Sequence, residues 1–322
     1  MADETDKGAR AAVRRANTPW TILRHEWKDV LSRTWIDSGN DNIGLIAAGT
    51  AFWGFASIAP MLAAIVLSYG LFATPDIVAD NIRSLFGVLP RDAASLIADQ
   101  LTTVVGTAGG KQGWALVLAL ALALYGGMQG ASAIITALNV AYEEKERRSL
   151  VQLYLLALAV TIAAVLVAIA AVAATAAMAF LGGLMPGAPA GVLIAIRIAS
   201  YVILGVLGTT AAALLYRYGP DRAHAKWVWL TPGSFATTLL WLIATGLFAF
   251  YVANFGSYGA TYGSLGAVVV LQLWLWLSAY IFLLGAELNS QLERRTARDT
   301  TTGPPAPPGE RGATVANEVV NH

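Results

Sequence analysis

Apolar positions in this chain come in long unbroken blocks rather than in the narrow stripes of a soluble domain. Six blocks, 43–73, 113–139, 150–184, 190–218, 229–252 and 264–290, each reach the length of about 20 residues needed to cross the hydrocarbon layer as a helix. The third and fourth come from one uncharged block, 149–196, which would run ~72 Å as a single helix. Its middle, Gly182-Gly183-Leu184-Met185-Pro186-Gly187-Ala188-Pro189, is a run of helix breakers, so the pattern predicts two spans joined by a tight turn. Before the first block, Trp20, Leu23, Trp27, Val30, Leu31 and Trp35 recur at helical spacing, with Arg24, Lys28, Asp29 and Arg33 on the other face. This predicts an amphipathic helix over 19–39 lying in the membrane interface. The other reading packs the same helix on the inner end of the bundle.

The first long loop holds two further amphipathic patterns, Val78, Ile82, Leu85, Phe86 and Leu89, then Leu96, Ile97, Leu101, Val104 and Val105. They predict helices that cap the outer end or pack on its surface. Residues 1–18 and 296–322 read as disordered, the latter because of Gly303-Pro304-Pro305-Ala306-Pro307-Pro308-Gly309, which leaves 40–295 as the spanning domain.

Composition sharpens the class. Hydrophobic residues make up 57% of the 322 and charged residues 13%, about half the ~25% usual in soluble proteins. So few charges cannot cover a soluble enzyme, and so much apolar sequence does not stay disordered. The fold class is therefore all-α integral membrane: six transmembrane helices plus interfacial amphipathic helices. Lys and Arg orient it. With the amino terminus inside, the inner segments hold seventeen and the outer segments only Arg83, Arg91 and Lys111. Both termini are thus expected on the cytoplasmic side. Arg14-Arg15 has no apolar core within reach, so no cleavable signal peptide is expected. A net charge of +1 exerts no pull toward nucleic acid. Cys is absent and the three histidines, His25, His224 and His322, are scattered, so neither a metal site nor a cofactor is expected.

Polar groups inside the apolar blocks are the candidates for function. Arg197 lies near the outer end of the fourth span, either snorkelling outward or meeting an anionic headgroup. Ser57 precedes Pro60, which breaks the first span near its middle and should turn its freed carbonyls toward protein. Gly126 and Gly130 form a small-residue face beside Gln129 and Ser132. Asn139, Gln272, Trp274 and Ser278 complete the candidate lining. Glu287 closes the sixth span at the level of Arg217, Asp221 and Arg222, a pattern for ion pairs sealing the inner end. The uncharged stretch Asn254-Phe255-Gly256-Ser257-Tyr258-Gly259-Ala260-Thr261-Tyr262-Gly263 is either an interfacial loop or a re-entrant lining that presents Tyr258 and Tyr262.

Several motifs, in order, resemble the YihY/BrkB family of bacterial inner-membrane proteins, once labelled ribonuclease BN. They are Ala51-Phe52-Trp53-Gly54-Phe55-Ala56-Ser57-Ile58-Ala59-Pro60, Ala137-Leu138-Asn139 before the charged 142–148 run, and Tyr216-Arg217-Tyr218-Gly219-Pro220. Pro232-Gly233, Tyr262-Gly263-Ser264-Leu265-Gly266 and Gly285-Ala286-Glu287-Leu288-Asn289 follow. Phe52-Trp53 stands where that family has a tyrosine pair. The resemblance implies a six-span protein of transport or envelope maintenance.

Three functions are open to such a chain. Translocation of a lipid-like or amphipathic solute suits spans without a midplane carboxylate, where ion-coupled transporters usually keep one. A non-transporting scaffold would bind membrane lipids, envelope proteins or a second copy. A ribonuclease would need metal-binding carboxylates or a histidine pair, and Glu143, Glu144, Glu146 and Asp221 lack ligand spacing.

Overall fold

The structure, a computed structural model, describes residues 18–22, 24–72, 111–183, 189–255 and 264–318. A short 3-10 turn, Pro19–Thr21, leads into α1 (Arg24–Asn40) and α2 (Ile43–Phe72). Then come α3 (Lys111–Ala141), α4 (Leu150–Gly183), α5 (Ala190–Tyr218), α6 (Trp227–Phe255), α7 (Ser264–Glu293) and the four-residue α8 (Thr314–Asn317). Among the described residues the one β pairing is a bridge between Ala225 and Thr301. The all-helical reading therefore stands. Among the described residues five helices hold stretches long and apolar enough to cross a membrane, and α2 adds the shorter apolar stretch Ile43–Ile58. The helices predicted within 78–105 and the Tyr-Gly stretch 256–263 lie outside the described residues.

Local chemistry sets the breaks. Between α1 and α2, Asn42 takes a left-handed φ of 53°, a conformation that Asn tolerates and that ends a helix. At the end of α3, Glu143 is left-handed (φ 53°); its N–H donates to Val140 O and that of Glu144 to Asn139 O, a Schellman closure. Ser149 then opens α4 with a capping box: Gln152 N–H donates to Ser149 Oγ (3.4 Å), and Ser149 N–H donates to Gln152 Oε1 (2.9 Å).

Two compact units, Phe52–Gln129 and Met1–Ala51 with Gly130–His322, make up the chain. In the first, a Cβ on Gly126 would stand 2.8 Å from Ser57 Cβ, so Gly126 lets α3 reach α2 where the small-residue face was expected. Trp53 and Tyr125 meet edge to face, and Gln129 donates to the Tyr125 hydroxyl (3.1 Å).

In the second unit α4 packs on α5, α5 on α6 and α6 on α7, which also meets α1 and α8. The core joins Ile43 and Ala47, Leu138 and Ala141, Tyr216, Leu230, Leu283, Ala286 and Val315. Its centre is the crossing of α6 and α7. A Cβ on Gly285 would collide with the Thr237 and Tyr216 hydroxyls and the Gly233 carbonyl, so only hydrogen there lets the two backbones meet. Among the described residues of α5 to α7, every buried large apolar side chain lies in the half of its helix nearest this crossing. Farther along, Ile198, Val202, Leu247, Phe250 and Val269 are exposed. Apolar surface of this extent belongs against hydrocarbon, not water.

Two expectations change. The buried stripe of α1 is Val30, Thr34 and Ser38, while Trp20, Leu31 and Trp35 stay exposed. The helix thus packs on the bundle through Val30, Thr34 and Ser38 with Trp27 partly buried beside them, and Trp35 faces outward. Nor is 297–318 a disordered tail. Val315 is fully buried, and Arg311 donates to the carbonyls of Ala297 (2.5 Å), Ala306 (3.1 Å) and Ala316 (2.6 Å). The Gly and Pro residues that suggested disorder make turns; Gly312, at φ 64°, lends its carbonyl to Ala223 N–H.

Replacing Gly285 by Ala is expected to cost roughly 1–3 kcal/mol, the range for forced overpacking, read as a lower aggregation temperature in detergent. Gly205→Ala is the control that leaves it unchanged, because a Cβ at Gly205 meets nothing within 4 Å. Arg311→Ala should free the tail: losing charge-assisted bonds of about 1.5–3 kcal/mol speeds proteolytic nicking within 297–318 by ~10-fold or more, while the bundle stays folded.

Candidate functional site

Four chain segments converge on the end of this unit nearest the α6–α7 crossing: the α1–α2 junction, the α3–α4 loop, the α5–α6 loop and the tail after α7. Asn139 ties two of them. Its Nδ2 donates to Glu146 Oε2 (2.8 Å), and its Oδ1 accepts from Asp221 N–H (2.7 Å). Arg148 donates to both Glu146 oxygens (each 2.7 Å) and to Gly219 O (2.9 Å), and Arg147 N–H donates to Asp221 Oδ2 (2.7 Å). The Arg148 hydrogen bond, helped by Asn139, holds the Glu146 carboxyl below the usual glutamate range. Asn139, expected in a cavity lining, is instead a loop tie, because the Schellman turn brings Glu146 back beneath it.

The deepest charges are Arg222 and Glu293. Their side chains are 1% and 0% exposed and form a bidentate pair at 3.1 and 2.7 Å. Thr300 Oγ1 donates to the same carboxylate (2.7 Å), and the guanidinium lies 4.9 Å from the Tyr142 ring centre. Burial works against the charged guanidinium, but the Glu293 carboxylate outweighs it and raises the Arg222 pKa. An ion pair between Arg222 and Glu287 is therefore corrected. Six residues separate Glu287 from Glu293, about 120° around the helix, so one α7 acid faces the α5–α6 loop and the other faces elsewhere. The signal was present: Glu293 follows Asn289 by four residues, on the same face.

Asn289 itself clamps the Pro232 break in α6, accepting from Gly233 N–H (2.8 Å) and donating to Leu230 O (3.2 Å). The Tyr216 hydroxyl donates to Phe282 O (2.6 Å) and lies 2.7 Å from Thr237 Oγ1. Arg217 donates to Ala225 O and stacks on Trp227 (4.7 Å). Glu287, 1% exposed, meets Asp41.

Of the remaining candidates, Ser57, Pro60 and Gln129 belong to the unit Phe52–Gln129, and Gln272 and Trp274 to the other. Ser57 donates to Gly54 O (2.7 Å), and Pro60 lies within α2. Trp274 packs against Trp241 and Phe248 (5.7 and 5.3 Å), and Gln272 is half-buried on the same helix. The side chain of Arg197, and Tyr258 and Tyr262, lie outside the described residues. Among the described residues no group of three or more acids and histidines is placed to hold a metal ion.

Long apolar helices with exposed hydrocarbon-facing surfaces, sealed at one end by buried ion pairs, define a polytopic helical membrane protein. The chain belongs to the family described as virulence factor BrkB, which matches residues 34–310. It is 28% identical over 276 residues to YfkH of Bacillus subtilis (strain 168), a protein whose name calls it ribonuclease-like; the match covers 83% of this chain and 95% of that one. A UPF0761 membrane protein of Pseudoalteromonas atlantica is 24% identical over 83% of this chain and 90% of its own length. Another, of Verminephrobacter eiseniae, is 23% identical over 84% of this chain and 64% of its own length. No solved structure matches.

Arg222→Met or Glu293→Leu alone should destabilise by about 3–5 kcal/mol, because each strands a buried charge, while the double replacement recovers most of the loss. Thermal melts of the detergent-solubilised protein read the cycle.

Proposed function

We propose that this chain is a six-span inner-membrane protein, amino and carboxyl ends cytoplasmic, that moves a lipid-like or amphipathic solute across the bilayer in support of the envelope. Uneven packing carries the reading. The second unit is densely packed and charge-locked at one end, while the rest of α5 to α7 has no large buried apolar side chain among the described residues. A bundle shut at one end and loosely joined at membrane depth is what a translocator needs, since helices must part there to admit cargo. A scaffold holding lipid, an envelope protein or a second copy would favour dense packing along the whole bundle. The orientation is supported because the locked end gathers the segments richest in Lys and Arg, including the 145–148 and 217–226 clusters. Membrane lipid is the surrounding and the cargo class; nucleic acid is not a partner in this reading.

Hydrolysis is not assigned. The carboxylates nearest water at the locked end are committed: Glu143 to Arg294 (2.5 Å), Glu144 to Thr314 and Glu146 to Arg148. Vesicles of phosphatidylethanolamine and phosphatidylglycerol carrying a headgroup-labelled phospholipid should show faster label movement between leaflets with the purified protein than without it. Equal movement would count against translocation.

A further inference from the structure

Glu287 is a buried acid at the locked end that, unlike Glu293, meets no guanidinium. Its side chain is 1% exposed, and its Oε1 has no hydrogen-bond partner among the described residues. Its carboxyl lies within hydrogen-bonding reach of the Asp41 carboxyl, in the two-residue junction between α1 and α2. The charged groups facing the pair are Asp37, Glu143 and Arg294. Asp37 accepts from Gln291 Nε2 (2.7 Å). Arg294, the cation among them, is already bound by Glu143 (2.5 Å) and Glu318 (3.5 Å). Two adjoining carboxyls, one fully buried and neither with a cation of its own, cannot both carry charge.

We propose that Glu287 and Asp41 form a proton-binding site in which Glu287 holds one proton and donates it to the Asp41 carboxylate, latching α7 to the α1–α2 junction. Asp41 is half-exposed, so the proton exchanges with water on that side, whereas Glu287 sits inside. Burial raises the Asp41 carboxyl above its ordinary value, opposed by the hydrogen bond from Glu287 and reinforced by the charges of Asp37 and Glu143. Loss of the proton leaves two adjacent negative charges across the seam between α7 and the junction and drives them apart. Read with translocation, on which this last consequence rests, the latch makes opening of the locked end depend on the pH of the adjoining water.

The test is infrared spectroscopy of the full chain in lipid nanodiscs. At neutral pH a protonated carboxylic-acid carbonyl band is expected; it shifts in D2O, fades as the pH rises, and is missing in Glu287→Gln. Glu310→Gln, at an exposed acid of the tail, keeps it. No band at neutral pH in the unmodified protein, or the same band in Glu287→Gln, overturns the site. The unmodified protein alone decides the first point, so a poorly folding variant leaves the question answerable. In the vesicle assay, lipid movement should change with the pH on the locked side, and Glu287→Gln should abolish that dependence. The band without lipid movement would sink translocation and leave the proton site standing. Movement without the band would do the reverse.

Discussion

The close approach of α6 and α7 organises the second unit. Pro232 has no N–H to give to the preceding turn, and in a membrane-embedded helix a loose backbone group is costly unless protein satisfies it. Beside the proline, Asn289 of α7 accepts from Gly233 N–H and donates to Leu230 O. That exchange demands near contact of two backbones, which Gly233 and Gly285 allow because neither brings a Cβ to the crossing. Once the helices meet there, the Tyr216 hydroxyl can bond both, and Glu293, one turn beyond Asn289, lies beside Arg222.

Two acids six residues apart on α7 then face opposite electrostatic situations. Glu293 meets a guanidinium that matches it oxygen for nitrogen, with a threonine hydroxyl and an aromatic face completing the shell. Burial is tolerable for such a pair because nothing in it is left unsatisfied. Glu287 meets another acid instead. A carboxyl pair with one member buried is stable when a proton replaces the missing cation, so one helix carries both a permanent lock and a titratable one.

Around this end the loops act as structure rather than as connectors. The Asn139–Glu146–Arg148–Asp221 ring joins two of them, and the tail returns so that Val315 enters the core and Thr314 meets Glu144. The contrast with the exposed apolar stretches beyond the crossing divides the helices into a rigid end and a lipid-facing remainder. Membership of the BrkB family over residues 34–310 places most of this arrangement within the shared portion of the chain.

The run of apolar blocks was enough to set the helical class, and the breakers at 182–189 separated α4 from α5, because hydrocarbon thickness and backbone hydrogen bonding act on length and composition alone. Motif residues such as Asn139, Gly233, Gly285 and Asn289 were visible as unusual, but their partners were not. Whether Glu287 or Glu293 takes Arg222 depends on the rotation of α7 against a loop some 70 residues away in the chain. The tail shows the same limit: Gly and Pro spell disorder in isolation, yet carbonyls that converge on Arg311 turn them into a fold. Local pattern fixes where helices start and stop, whereas pairing of buried charge is a contact between distant segments, and only the packed chain decides it.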